Sequence, residues 1–519
     1  MNGFTQSVNP ATGETIGQIK LNTIEELPEL IAKARIAQES WVKLSVKERS
    51  RRILKIRDFL FSNMDKIAAT ITRDNGKTII DSLTTEVIPA MMAVSYYCKN
   101  VDKFLRDKKL SSGSILFVYK RSRIIKIPYG VVGIISPWNY PFSIPFSEVV
   151  IGLLAGNAVF LKVATETQAV GQILKEAIDY AGIPPNIFNY VNLPGSVVGD
   201  AFLENGIDKL FFTGSVQVGK YLMGKAAKTL TPVCLELGGN DAMIVCEDAD
   251  LSRAVKGVMW AGFQNAGQSC GGIERVYVHE NVYDKFLEIL RNRVKDFKAG
   301  YGENFDSELG CMTTAKQYES VKQHVQDALN KGAVVYVQSD TPADKNLRNF
   351  LPATVLTNVN HKMMVMRDET FGPVVGVMKY KTEDESVKLA NDSYLGLTGS
   401  VWSKNRKKAV RIARQIKAGV VTVNDHLVSH GLPETPWGGF KQSGIGRTHG
   451  HLGFDEMLQP LTLVNDILPF QKSSLWWHPY NKRLYEGLKG IPMLLYGNKL
   501  NLRLKGISNL LKIIPRIFK

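Results

Sequence analysis

Apolar residues at helical spacing, set among many Lys, Arg and Glu, run from Thr23 to Phe61 and predict helix there. Further helical signal runs from Ile67 to Phe104. After Ser111-Ser112-Gly113 the pattern changes, and Ile115 to Ile127, rich in β-formers and basic residues, predicts extended chain. From Val131 short apolar runs alternate with helical stretches, the runs being Val131–Ile135, Ala158–Lys162, Ile187–Val191 and Lys209–Phe212. Such alternation predicts an α/β fold with a parallel sheet and crossover helices. A second α/β region spans about Gly238 to Asn424 and is closed by a strand-like Ala418–Asn424. Pro436–Gly444 reads as a Gly-rich loop and Leu458–Val464 as a last strand.

The segment after Phe470 stands apart. Leu500, Leu504, Ile507, Leu511, Ile514 and Phe518 recur at alternating four- and three-residue intervals and fall on one helical face, with Lys505, Lys512, Arg516 and Lys519 opposite. Gly506 and Pro515 argue against one unbroken helix. A basic amphipathic segment of this kind is expected on a membrane surface. Docking on its own protein and disorder are the two other readings. No window reaches the ~20 apolar residues that span a bilayer.

Composition narrows the class. A chain of 519 residues exceeds what one hydrophobic core serves, so two or more domains are expected. Hydrophobic content of 44% and charged content of 22% are ordinary for a globular protein. Net charge is +16, and from Gln471 onward ten basic residues face the single acid Glu486. Nucleic acid is not expected as a partner, because no reading module accompanies the charge. Cys98, Cys234, Cys246, Cys270 and Cys311 are scattered and odd in number, which argues against a disulfide framework and for a reducing compartment. No Cys/His cluster has metal-ligand spacing. Met1 to Gln6 lacks the regions of a signal peptide. A cytoplasmic location is expected, peripheral on the cytoplasmic face of a membrane if the tail binds lipid.

The chemistry-bearing residues lie in five ordered motifs. Cys270 sits in Asn265-Ala266-Gly267-Gln268-Ser269-Cys270-Gly271-Gly272, and Glu236 in Leu235-Glu236-Leu237-Gly238-Gly239-Asn240. Upstream lies Ser136-Pro137-Trp138-Asn139-Tyr140-Pro141, and downstream Glu369-Thr370-Phe371-Gly372-Pro373. Phe211 to Gly219 reads as strand, tight Gly turn and helix start, and a helix N-terminus offers N–H groups to a dinucleotide's phosphates. The set resembles the aldehyde dehydrogenase superfamily, and the match runs from Asn9-Pro10-Ala11-Thr12-Gly13-Glu14 to Gly444-Ile445-Gly446-Arg447.

That resemblance implies a Rossmann-type cofactor domain (1–104 and 128–237), an α/β catalytic domain (238–440) and a β-strand oligomerisation element (105–127 and 456–468), with 470–519 as an extension. A homodimer or homotetramer is implied. Cys270 would add to an aldehyde carbonyl to form a thiohemiacetal that expels hydride. Asn139 and the Cys270 N–H would stabilise the oxyanion. Glu236, between two leucines, would have a raised pKa and activate water against the thioester. Turn N–H groups and the nicotinamide's positive charge are expected to lower the Cys270 pKa. For NAD, the resemblance implies Lys162, Thr165, Gly214, Ser215, Gly219, Leu237 and Glu369 as binding residues, with Trp138 and Phe371 lining its path. A glutamate that NAD-preferring relatives carry at position 165 is here Thr165, followed by Glu166, so NADP use stays open.

The expected substrate is an apolar medium- or long-chain aldehyde. A semialdehyde such as succinate semialdehyde is the alternative, but it needs a cationic anchor that the sequence does not locate: Arg275 is close to Cys270 in number, on a strand that can point it away. From another class, a cofactor-free thiol hydrolase would use the same Cys270 and Glu236.

Overall fold

Val131–Ile135, Ala158–Lys162 and Lys209–Thr213 are buried along their whole length, as strands covered on both faces must be. In this computed structural model, which describes residues 3–302 and 305–519, they pair in parallel within a six-stranded sheet. Phe188–Tyr190 lies at one end of that sheet, a shorter strand than the expected Ile187–Val191. Toward the other end, Val233–Glu236 pairs in parallel with Lys209–Thr213 and antiparallel with Gly444–Ile445.

A seven-stranded sheet carries the second α/β region. Its centre is Val374–Tyr380, Ile273–His279, Asp241–Val245 and Thr398–Trp402, all parallel. Val420–Val423 forms one edge and the antiparallel Val334–Gln338 the other. Both sheets belong to one unit, Met1–Arg106 with Ile127–Gln459.

The helical stretches of this unit break where local chemistry dictates. The run expected as helix from Thr23 to Phe61 divides into Leu27–Trp41 and Val46–Ser62. Ser45 starts the second: its hydroxyl accepts from the Glu48 N–H, and the Glu48 carboxylate accepts from the Ser45 N–H, a capping box. The next stretch is interrupted too. Met64–Asn75 ends at Gly76, whose φ of 94° suits glycine, and Thr78 caps a new start at Ile79. The break turns Lys77 into the interior.

Asp107–Lys126 and Pro460–Lys519 form a second unit. Here Lys120–Pro128 pairs antiparallel with Lys108–Leu110, and Leu458–Asp466 is its neighbour on the other side. Only part of the expected 115–127 strand is extended. Ile115–Phe117 is a short helical turn, closed by a Phe117 N–H to Ser114 carbonyl bond that the Ser-rich loop supplies. The last fifty residues are helical over Lys482–Leu488, Gly490–Tyr496 and Leu500–Leu511, with a final turn at Ile514–Phe518. Gly506 does not interrupt its helix, whereas Pro515 lies beyond the helix end. Among the described residues no helix is long and apolar enough to cross a membrane.

Candidate active site

Cys270 occupies a turn between a distorted helical turn, Gln264–Gly267, and the strand Ile273–His279. Asn265 and Ala266 hold φ values of 54° and 53°, a left-handed conformation that costs a non-glycine residue about 1–3 kcal/mol. Surrounding bonds fix it there. The Asn265 side chain donates to the carbonyls of Asn139 and Gln268, and its N–H donates to Asp81. Gly267 is required, since a Cβ there would lie 2.1 Å from the Gly372 carbonyl. The outcome is a thiol that remains partly accessible at the junction of two cavities.

Glu236 ends its strand two residues before Gly238, and its side chain is buried. Burial pushes its pKa up to about 8, against hydrogen bonds from Trp437 and Cys270 that pull it down. The Trp437 indole N–H donates to Glu236 Oε1 at 2.8 Å. A carboxylate poised near neutrality suits a base that must take a proton and later release it.

Asn139 is buried, and its amide donates to the Gln268 carbonyl at 3.1 Å, two residues before the thiol. Its own carbonyl accepts from Lys77 Nζ at 2.9 Å. Lys77 in turn pairs with Glu86 at 2.6 Å with neither side chain exposed. The second Glu86 oxygen accepts the N–H groups of Phe142 and Ser143. This buried ion pair fixes both sides of the loop that presents Asn139.

The expectation of a depressed Cys270 pKa is not met by the protein alone. Burial and the carboxylates of Glu236, Glu369 and Asp241 push it well above the usual thiol range, and the Gly271 N–H only partly opposes them. These acids come from distant strands and loops that converge on the sulfur.

One cavity, of about 430 Å³, is lined by Trp138, Asn139, Gly214, Ser215, Glu236, Cys270, Glu369 and Phe371, all expected for the site. Ser215 caps the helix Val216–Ala226, and the Trp138 and Phe371 rings meet edge to face at 5.5 Å. A Cβ on Gly238 would lie 2.2 Å from Glu369 Oε2, and one on Gly214 2.6 Å from Phe212. Backbone is therefore bare where a dinucleotide would approach a helix N-terminus, and the residues fit NAD(P). Glu369 rests on the Gly239 N–H at 3.0 Å.

Four expected residues do not line the groove. Lys162 is buried at its strand end; burial lowers its pKa and Glu166 opposes that. Gly219 and Leu237 pack on each other, with a Cβ on Gly219 falling 2.6 Å from Leu237 Cδ2. Thr165 is exposed, and Glu166 lines the groove in its place. Sequence reasoning also missed Thr314, Lys316 and Gln317, around the start of helix Ala315–Asn330. They belong to no quoted motif, and an N-cap threonine was the one local signal available.

The second cavity, about 410 Å³, opens on the other side of Cys270. Ile88, Met92, Leu427, Val428 and Leu432 line it with the rings of Tyr140, Trp260 and Trp437. Its lining includes no lysine or arginine; Asp425 is an acid, and burial holds the His430 pKa down at about 4. Arg275 is elsewhere: buried, it donates to the carbonyls of Asn240, Leu389 and Ala390 and to the Tyr277 hydroxyl. Among the described residues no group of three or more His, Cys, Asp or Glu side chains is placed to hold a metal ion.

A thiol and a carboxylate between a groove suited to a dinucleotide and a second cavity fit a nicotinamide-dependent oxidoreductase. Comparison with known proteins agrees. A sequence model of the aldehyde dehydrogenase family matches residues 2–463. The chain is 36% identical over 491 residues to a 4,4'-diapolycopene aldehyde oxidase of Methylomonas sp, covering 95% of this chain and 91% of the relative. It is 36% identical to succinate-semialdehyde dehydrogenase [NADP(+)] 1 of Schizosaccharomyces pombe, covering 89% and 91%. A betaine aldehyde dehydrogenase of Staphylococcus aureus, solved in complex with NAD+, superposes with a TM-score of 0.85 at 32% identity, covering 92% and 94%. The chain belongs to the aldehyde dehydrogenase family and is an NAD(P)-dependent aldehyde oxidoreductase.

Proposed function

We propose that the protein oxidises an apolar medium- or long-chain aldehyde to its carboxylic acid, with Cys270 as nucleophile. The carrying observation is the cavity beside that thiol, apolar over much of its lining and free of cationic side chains. A semialdehyde's carboxylate would meet Asp425 there and find no counter-charge. The match of 491 of 519 residues cannot be placed without entering the segment beyond Leu463, where the family model ends. The relative so matched is named for 4,4'-diapolycopene aldehyde, not for succinate semialdehyde.

The sulfur bonds to the carbonyl carbon, and the carbonyl oxygen becomes an oxyanion facing the Asn139 amide and the Cys270 N–H. Oxidised nicotinamide, when bound, would supply the hydride acceptor and a positive charge that favours the thiolate. The thioester that remains is attacked by water, whose proton passes to Glu236. The carbon–sulfur bond then breaks, releasing the acid. Ser215 and Glu369, on the groove wall, would hold the cofactor, and Glu166 beside them would disfavour a 2′-phosphate, so NAD is the preferred form. Assembly as a homodimer or homotetramer would use Leu458–Asp466, which is exposed over nearly its whole length and ends its sheet.

A second reading rests on Tyr140, Trp260 and Trp437 together with Asp425, a lining that also suits a quaternary ammonium aldehyde. The test is kcat/KM for n-alkanals of graded length, succinate semialdehyde and betaine aldehyde, each with NAD and NADP. Rates should rise with alkyl length and vanish in Cys270→Ala. Equal or better rates on the semialdehyde would overturn the apolar reading, and a preference for betaine aldehyde would favour the second.

A further inference from the structure

The helices Gly490–Tyr496 and Leu500–Leu511 pack on each other through glycine. A Cβ on Gly490 would lie 2.4 Å from the Gly506 carbonyl oxygen, and one on Gly506 would lie 2.7 Å from the Gly490 oxygen. No larger residue fits either position. Ile513 closes over Gly487, where an added Cβ would fall 2.3 Å from its Cγ2, and together with Leu484 it is buried. With glycine at the helix contact, several of the large apolar residues are outside. Leu500, Leu504, Leu511 and Phe518 are 74%, 57%, 61% and 51% exposed.

That arrangement is the reverse of a helix pair in water, which turns leucine inward. Helices in apolar surroundings behave this way, bringing small residues together and leaving large ones for the medium. Yet these helices have only 7 and 12 residues, against the ~20 needed to cross a bilayer. They can lie in its surface but not span it. The charge has a matching sense: Lys499, Arg503, Lys505 and Lys512 are exposed around the apolar face, and Glu486 is the only acid after Phe470. Tyr480, Tyr485 and Tyr496 are exposed as well, and such rings favour the headgroup level.

We propose that the hairpin of residues 482–519 docks in the plane of an anionic lipid bilayer, its leucines toward the acyl chains and its lysines and arginines at the headgroups. The inference stands on the hairpin alone and does not depend on which aldehyde is oxidised. The test is co-sedimentation of the full chain with vesicles of phosphatidylcholine alone or mixed with phosphatidylglycerol, at low and high salt. A Leu504→Glu/Leu511→Glu variant is run beside it, and activity on a short soluble aldehyde reports that the variant is folded.

The full chain should pellet with the mixed vesicles, less so at high salt, and the double variant should pellet roughly tenfold less at unchanged activity. Equal pelleting of both proteins, or none by the full chain, overturns the proposal. So does a larger assembly on gel filtration that the double variant abolishes without any vesicle binding, because the face would then join copies of this chain. If the double variant is inactive, the wild-type dependence on phosphatidylglycerol and salt decides alone, and binding that ignores both is a refutation.

Discussion

Trp437→Phe isolates one hydrogen bond at the proposed base. The indole N–H donates to Glu236 Oε1 at 2.8 Å, while the ring packs against Gly271 and meets His430 edge to face. Phenylalanine keeps an aromatic ring there and removes the donor. A hydrogen bond to a charged group is worth about 1.5–3 kcal/mol, and about 1.4 kcal/mol moves a pKa by one unit. The sign follows from what the donor favours. It stabilises the carboxylate and pulls down a pKa that burial pushes up to about 8, so its loss raises that pKa by about one to two units. Below the new value, the fraction of Glu236 able to accept a proton falls about tenfold per unit. Thioester hydrolysis should therefore slow at neutral pH and recover at alkaline pH. The hydride step, which does not use the base, should keep its rate. Rapid mixing that records the first turnover of NADH and the later steady state, repeated from mildly acid to alkaline pH, separates the two. An acid limb of the steady-state rate that stays in place would refute the assignment of Glu236 as base under Trp437 control. A first turnover slowed equally would instead mean that the ring, not the hydrogen bond, carries the effect.

Asn139→Ala should lower kcat by about 10²–10³ with cofactor affinity retained, measured by steady-state rates and NAD titration. Lys77→Met leaves Glu86 buried without its cation and should cost about 3–5 kcal/mol in denaturant unfolding; adding Glu86→Gln should recover part of the loss, and a neutral single variant would refute the positioning of the Asn139 loop by this pair. Glu166→Gln should improve kcat/KM for NADP by roughly fivefold at most, because the carboxylate is solvent-exposed. No change would remove Glu166 from cofactor choice.

How far the sequence could be read depended on the range of each interaction. Val131–Ile135 and Ala158–Lys162 were legible to the residue, because a strand buried on both faces reads as a nearly continuous apolar run, broken here only by Lys162 at its end. The helical reading from Thr23 to Phe61 passed over a break whose signal, Ser45 with Glu48 three residues on, is local and was there to be read. Cys270, Glu236 and Asn139 could be picked out from their motifs, but the sign of the thiol's pKa shift could not. Glu236, Glu369 and Asp241 reach the sulfur from separate elements, and no spacing along the chain encodes that convergence. Lys77 and Trp437 were illegible for the same reason: their partners Asn139 and Glu236 lie far away in sequence.

The tail illustrates the distinction most sharply. Periodicity identified which residues share a face, but not which face meets the neighbouring helix. Gly506, an argument against helix when taken residue by residue, is the position at which the two backbones touch. A propensity cost of about 1 kcal/mol for glycine in a helix is readily outweighed when any side chain there would drive the helices apart. The same contact compels Leu504 and Leu511 outward. A helix contact built on glycine thus leaves Leu504 and Leu511 exposed, and the proposed bilayer would give those side chains an apolar phase to enter.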